Sequence, residues 1–199
     1  MKTILESIKD RRSIYALSDE KVLSEDKLEE LVKEVAMHVP SPFNMQSQRV
    51  VLLTGEQHHK LWSIVLETLR KIVPAENFST TEDKIKGSFD SGYATILYFE
   101  DQDVVENMGN QFPSYKENFI AWSAHASAMM QYALWTTLEA EGLGASLQHY
   151  NPLIDDEVKE TWNLPKQWKL IAQMPLGKPI APAGEKEFMP IDEKVRVFK

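Results

Sequence analysis

The stretch from Tyr115 to Glu141 is apolar on nearly every side, and it limits the possible folds more than any other part of the chain. A helix that is hydrophobic all round must be enclosed by other elements or span a bilayer. Here Ile120 to Leu138 carries His125, Gln131 and several small polar residues. A buried, central helix is therefore expected, and a membrane span is not. Gly142-Leu143-Gly144 is its natural cap, leading into a short strand over Ala145 to Gln148.

The flanking sequence supplies partners for that helix. Thr3-x-x-Glu6 has the form of a capping box, with Ile4, Leu5 and Ile8 as one apolar face, so a first short helix should end near Arg11-Arg12. Ser24 starts a second helix, with Glu25 and Asp26 in the first turn, where the dipole favours acids. Leu28, Leu31, Val32, Val35, Ala36 and Val39 form its buried stripe, and Pro40 and Pro42 stop it. Ser41 to Gln46 follows as a loop. Val50 to Leu53 and Ala94 to Phe99 have strand length and composition. Between them a helix from about Glu56 to Val73 is closed by Pro74, and the polar residues 76–86 suggest a mobile surface loop. Further on come a small helix over Asp155 to Trp162 and a strand over Leu170 to Met174 that Pro175 should break. Strands alternating with helices argue for an α+β or α/β sandwich around one mixed sheet, as a single domain over 1–199. The chain after Pro175 is rich in Gly and Pro and ends in Val195-Arg196-Val197-Phe198. That apolar end suits a tail docked on something, a partner subunit being one option.

Composition removes whole classes of function. Basic residues number 22 against 30 acidic, for a net charge of -8, and no basic stripe breaks the pattern. Nucleic-acid binding is not expected, because phosphate neutralisation needs clustered Lys and Arg. There is no cysteine, which excludes disulfides, thiolate nucleophiles and Cys-based metal sites and suits a reducing cytosol. The first residues, Met1 to Glu6, lack the apolar core of a signal peptide. Phosphate-cradling glycine loops, G-x-S-x-G and H-E-x-x-H are missing. The five His residues include no i, i+4 pair, and His58 and His59, being adjacent, point about 100° apart on a helix. No metal site is expected.

Several short constellations remain open between structural and functional roles. Arg11-Arg12-Ser13 could complement a helix C-terminus, or could bind an anion through two guanidinium forks and a hydroxyl. Asn44 and Gln46 could be turn-formers, or amides that bond the edge of a planar heterocycle. In Gly144-Ala145-Ser146-Leu147-Gln148-His149-Tyr150-Asn151-Pro152, small residues allow close approach to the strand before the polar Gln148-His149 pair. His149 could equally be a satisfied lone histidine. Lys178 and Lys186 could be solvated charges, or one of them a second cation for a phosphate.

Taken in order, these pieces resemble the nitroreductase family of FMN-dependent oxidoreductases over nearly the whole chain. The resemblance rests on Arg11-Arg12-Ser13, the Ser41–Gln46 loop, the long helix ending Glu141-Gly142-Leu143-Gly144, Gln148-His149 and Pro175-Leu176-Gly177-Lys178-Pro179. The wording of Gly142 to Pro152 and of Gly184 to Phe188 is similar to a compact branch that includes the fatty-acid-repression-type nitroreductases. The resemblance implies an α+β fold, an α/β sandwich with a mixed central sheet flanked by helices. It also implies a homodimer formed through the long helices, with a tail of about 179–199 reaching across. Arg11, Arg12 and Ser13 would bind the FMN phosphate and ribityl chain, with Lys186 joining at the phosphate. Asn44 and Gln46 would approach from the partner subunit, and Leu147, Gln148 and His149 would lie along the isoalloxazine. Tyr15 stands where many members have a basic residue, near the pyrimidine edge. A family Asn and Lys before the middle strand have no clear match, Lys84 and Lys86 being the nearest substitutes.

The implied activity is ping-pong reduction of a nitroaromatic or similar planar acceptor, with NADH or NADPH as donor and the flavin carrying the chemistry. A flavoprotein of regulatory role in lipid signalling or stress, with incidental reductase activity, is the rival. A third reading, an acidic helical scaffold without cofactor, predicts a colourless protein.

Overall fold

The protein, described by a computed structural model over residues 2–199, is built on a sheet covered by helices on both faces. β2 (Gln48–Thr54), β3 (Ala94–Asp101) and β5 (Trp168–Pro179) pair in that order. The two-residue strands β1 (Leu17–Ser18) and β4 (Gly144–Ala145) line the other edge of β5. Each of these ladders is antiparallel; the parallel component of the mixed sheet is a single bridge between Ser13 and Ala145.

β3 is buried at every position, as a strand covered on both faces must be. Its side chains alternate between the two cores. Ala94, Ile96 and Tyr98 join Leu28 and Val32 of α2 (Glu25–His38) and Met130, Leu134 and Leu138 of α6 (Lys116–Ala140). Leu97 and Phe99 join Leu61, Trp62 and Val65 of α3 (Gly55–Arg70), Ile85 of α4 (Phe78–Ser88) and Val158 of α7 (Asp155–Thr161). The expected stripe of α2 is the one it buries, and Ser24 caps it by accepting from the Lys27 N–H.

Four expectations need correcting. Residues 76–86 are not a loop: most of them lie in α4, because Phe78 and Ile85, seven apart, anchor one helical face beside Phe89. Two buried side chains suffice there, and the polar remainder faces solvent. Pro175 does not end its strand, since β5 continues to Pro179. Its missing N–H points to the β4 edge, where Ser146 stands opposite and donates its own N–H to the Pro175 carbonyl at 3.3 Å, so that pair keeps one of its two ladder bonds. For the same reason the strand expected over Ala145 to Gln148 is a two-residue pairing and one later bridge. Finally α1 (Ile4–Asp10) has the expected capping box, with Thr3 N–H donating to Glu6 at 2.7 Å, but its apolar face is not its buried one. It buries Ser7 against α6 and leaves Ile4 and Leu5 80% and 61% exposed.

The long helix is central but not enclosed. Phe119, Ser123, Ala126, Met130, Leu134 and Leu138 form one buried stripe, while Ile120, Met129 and Tyr132 elsewhere on the helix are exposed. α5 (Gln102–Gln111), which nothing in the sequence announced, packs along its N-terminal part with Val105 against Phe119 and Met45. Among the described residues no helix is long and apolar enough to cross a membrane. The tail after Pro179 is exposed almost throughout and holds one short helix, α8 (Ile191–Lys194).

Candidate functional site

The end of α1 and the start of the tail enclose a cavity of about 530 Å3. Its lining includes Arg11, Arg12, Ser13, Tyr15, Gly184 and Lys186, so five of the residues singled out in the sequence meet in one place. The chain reaches it because α1 stops at Asp10 and the following segment runs beside β4, where the Ile14 N–H donates to the Ala145 carbonyl at 2.9 Å. Gly144 permits that approach: a Cβ there would lie 3.0 Å from both Ile14 and Leu17. The small residues of this strand thus make room first for the chain's own N-terminal segment.

The two arginines are held differently. Arg12 donates from Nη2 to the Gly184 carbonyl at 2.8 Å, tying the tail to the helix end. Arg11 lies over aromatic rings, its Cζ 4.3 Å from the Trp135 centroid and 5.9 Å from that of Tyr132. A cation–π contact of this kind holds the guanidinium in place without using its donors. The buried Nε of Arg11 has no hydrogen-bond partner, an arrangement that calls for an acceptor. Lys186 lies 5.1 Å from the Phe188 ring centroid. Lys178 is engaged elsewhere, paired with Glu20 at 2.6 Å, which leaves Lys186 as the tail's cation at this cavity.

Leu147, Gln148 and His149 continue from β4. Gln148 exchanges both backbone bonds with Gln173, at 2.7 and 2.9 Å, and the Gln173 side chain accepts from the Tyr150 N–H at 2.7 Å. Alternation along this extended backbone turns the N–H groups of Leu147 and His149 to the other side. Leu147 is half-buried and His149 exposed.

Asn44 and Gln46 are not near the arginines within one chain. Phe43, between Pro42 and Asn44, packs on Phe112, Tyr115, Phe119 and Trp122 at the N-terminal part of α6. Arg11 packs on Tyr132 and Trp135, so the two groups are separated by roughly 20 Å of helix at about 1.5 Å per residue. The loop itself is strained. Phe43, Asn44 and Gln46 have φ of 53°, 52° and 49°, a region that costs non-glycine residues about 1–3 kcal/mol each and that clusters at binding sites. Asn44 and Gln46 point outward and are exposed.

Charged groups that the sequence did not flag stand behind this loop. Arg49 donates to the Gln46 carbonyl at 2.7 Å and to Asp101 at 2.9 Å. Glu100 beside it is 3% exposed with neither oxygen hydrogen-bonded. Burial pushes its carboxyl up to about 7, with Ser47 and Arg49 pulling the other way. Alternation along β3 could have marked Glu100 as a carboxyl at a buried position.

The two adjacent histidines meet Asp90, with donor atoms of the three residues within 4.8 Å of one another. Both His58 nitrogens are engaged, Nδ1 with Thr95 Oγ1 at 2.8 Å and Nε2 with the Asp90 carbonyl at 3.2 Å. Burial lowers its pKa to about 4. It is a neutral ring built into the core beside Trp62, which shares the Thr95 hydroxyl.

Comparison with known proteins gives a consistent result. Residues 8–178 match the family described as the Nitroreductase family. The Saccharomyces cerevisiae protein HBN1 is 32% identical over 195 residues, covering 97% of this chain and 96% of that protein. Nitroreductase CinD from Lactococcus lactis, solved with chloramphenicol and with 4-nitrophenol, is 42% identical. Its TM-score is 0.89, over 99% of this chain and 100% of that one. A protein of Exiguobacterium sibiricum solved in complex with FMN shares the fold at 15% identity and a TM-score of 0.71, over 100% of this chain and 98% of that one.

Proposed function

The chain belongs to the nitroreductase family, and on that premise we propose that it is an FMN-dependent oxidoreductase passing electrons from NADH or NADPH to a nitroaromatic or similar planar acceptor. The observation that carries this reading is the cavity in which Arg11, Arg12, Ser13 and Lys186 converge. Three cationic side chains, a hydroxyl and an orphaned buried guanidinium N–H suit a phosphate monoester. CinD's complex with 4-nitrophenol supports a planar acceptor.

When bound, FMN would supply the two-electron redox chemistry between a nicotinamide donor and the acceptor. This chain's residues bind and orient it. Arg11 and Arg12 would hold the phosphate end, Ser13 the ribityl side, and Lys186 would reach the phosphate from the tail. The N–H groups of Leu147 and His149 face the side opposite β5, where they can donate to the ring edge. Tyr15 leaves the pyrimidine edge without the usual cation. Lys84, whose Nζ lies 6.0 Å from the Phe89 ring that Tyr15 approaches at 6.3 Å, is a cation on that side.

Asn44 and Gln46 reach such a flavin from a second subunit, because α6 separates them from Arg11 within one chain. The exposed Ile4, Leu5, Ile120, Met129 and Tyr132, and the apolar tail residues Val195, Val197 and Phe198, are the surface a homodimer would cover. Light scattering is expected to find a dimer that retains FMN, and deletion from Val195 onward is expected to weaken it. A monomer that holds FMN as tightly would refute the shared site.

Steady-state kinetics tests the activity. Donor and acceptor that use one open pocket in turn produce parallel double-reciprocal lines with NAD(P)H and a nitroaromatic. Intersecting lines would mean that both bind at once. Retained FMN with no NAD(P)H oxidation by any nitro or quinone acceptor would favour the regulatory role.

A further inference from the structure

We propose that Arg49, braced by Asp101, is a positioning residue for the cofactor-facing Gln46, and that the buried Glu100 carboxyl beside it sets how firmly the brace holds. This rests on the reading that the Ser41–Gln46 loop faces the flavin of the partner subunit.

The loop needs a restraint. Three non-glycine residues in the left-handed region would relax if nothing held them. Gln46 is pinned on both sides: its N–H donates to Ser41 Oγ at 2.8 Å, and its carbonyl accepts from Arg49 at 2.7 Å. These two bonds fix the backbone from which the exposed Gln46 amide projects. Next to it, the Ser47 carbonyl accepts from the Asp101 N–H at 2.9 Å, anchoring the loop exit to β3. Arg49 is held by Asp101 Oδ2 at 2.9 Å and lies 5.8 Å from the Trp168 ring centroid. One guanidinium therefore spans the loop and the end of the central strand.

Glu100 is the unbalanced member. It is almost fully buried, its two oxygens lack hydrogen-bond partners, and Asp101 is its chain neighbour. The groups that face it are Ser47 and Arg49 from the loop exit and β2, and Asp101 from its own strand. Lys169 stands opposite in the register of β5 but is exposed. A protonated Glu100 leaves Arg49 to Gln46 and Asp101. An ionised Glu100 draws the guanidinium toward itself and away from the Gln46 carbonyl, because an unpaired buried carboxylate takes the nearest cation. The carboxyl changes state near neutral pH, so the loop is held firmly below that point and loosely above it.

The test is FMN titration of the cofactor-free protein, with amide hydrogen exchange of the 41–49 segment measured on the same samples. Arg49→Met is expected to raise the FMN dissociation constant about tenfold near pH 6 and to speed exchange in the segment. Arg49→Lys, which keeps the charge but not the fork, should recover part of both. From about pH 6 to about pH 8 the parent should lose affinity relative to Glu100→Gln, whose side chain cannot ionise. The cofactor's own phosphate titrates equally in both proteins, so their difference isolates Glu100. Arg49→Met and Arg49→Lys proteins that fold and bind FMN as the parent does would overturn the proposal. So would a Glu100→Gln protein that follows the parent's pH dependence. If Arg11→Ala weakens FMN binding while the Arg49 variants do not, the flavin reading survives and the brace alone falls. A parent that binds no FMN removes both.

Discussion

Replacing Arg11 by alanine is expected to weaken FMN binding by about 1.5–3 kcal/mol, the worth of a charge-assisted hydrogen bond. At about 1.4 kcal/mol per decade this is roughly a ten- to hundred-fold rise in the dissociation constant. Arg11 is singled out over Arg12 because Arg12 already spends a donor on the Gly184 carbonyl. The Arg11 guanidinium is oriented by Trp135 and keeps a buried N–H without a partner. Lys186→Ala should cost less, since an ammonium on an exposed tail lacks the bidentate fork and is screened by solvent. Flavin titration of the cofactor-free variants measures both. An Arg11→Ala protein that binds like the parent would put the phosphate elsewhere.

Glu100→Gln is expected to stabilise the fold by up to about 3 kcal/mol at about pH 8 and to leave it little changed near pH 4.5. The free carboxyl releases its proton near 4.5 and the folded one near 7. Between those values the folded chain binds more protons than the unfolded chain, so stability falls as pH rises through the window, at about 1.4 kcal/mol per unit. Glutamine has no proton to lose and escapes the fall. His58 works in the opposite direction. Its folded pKa of about 4 lies below the ordinary 6.5, so its contribution is present above about 6.5 and is lost as pH falls toward 4. The two slopes oppose each other in the parent between about pH 4.5 and 6.5. In Glu100→Gln the His58 slope should stand alone, with stability rising over that range and level above it. Urea unfolding at a series of pH values reads both, and a variant parallel to the parent throughout would place the titration elsewhere.

Local patterns in the chain were decisive where the physics is local. Thr3 and Ser24 cap helices because their hydroxyls bond an N–H three residues on, and no distant residue is needed for that. The α2 stripe follows from periodicity and the α6 span from its long apolar run, and with the order of short motifs they define the family-level fold. Arg11, Arg12, Ser13 and Tyr15 are neighbours in the chain, so their common cavity was legible too. Between Lys178 and Lys186 only the resemblance chose Lys186, because about 170 residues of intervening fold bring it there.

What the sequence could not decide was set by long-range partners. Phe78 and Ile85 make 78–88 a helix because α3 and Phe89 offer a surface for them to cover. Pro175 sits inside a strand because β3 pairs along its other edge and only the one N–H bond toward Ser146 is given up. The apolar side of α1 is exposed within the chain, since apolar residues mark only what must be covered and not by which chain. Arg49, Glu100 and Asp101 read separately as ordinary charges. Only the antiparallel register of β2 on β3, which sets Arg49 against the end of β3, brings an arginine, a paired aspartate and an unpaired buried glutamate together behind the strained loop. Periodicity records which residues are hidden from water, a property of each residue alone. Which groups meet there depends on pairings between distant segments, and that is decided only when the whole chain is packed.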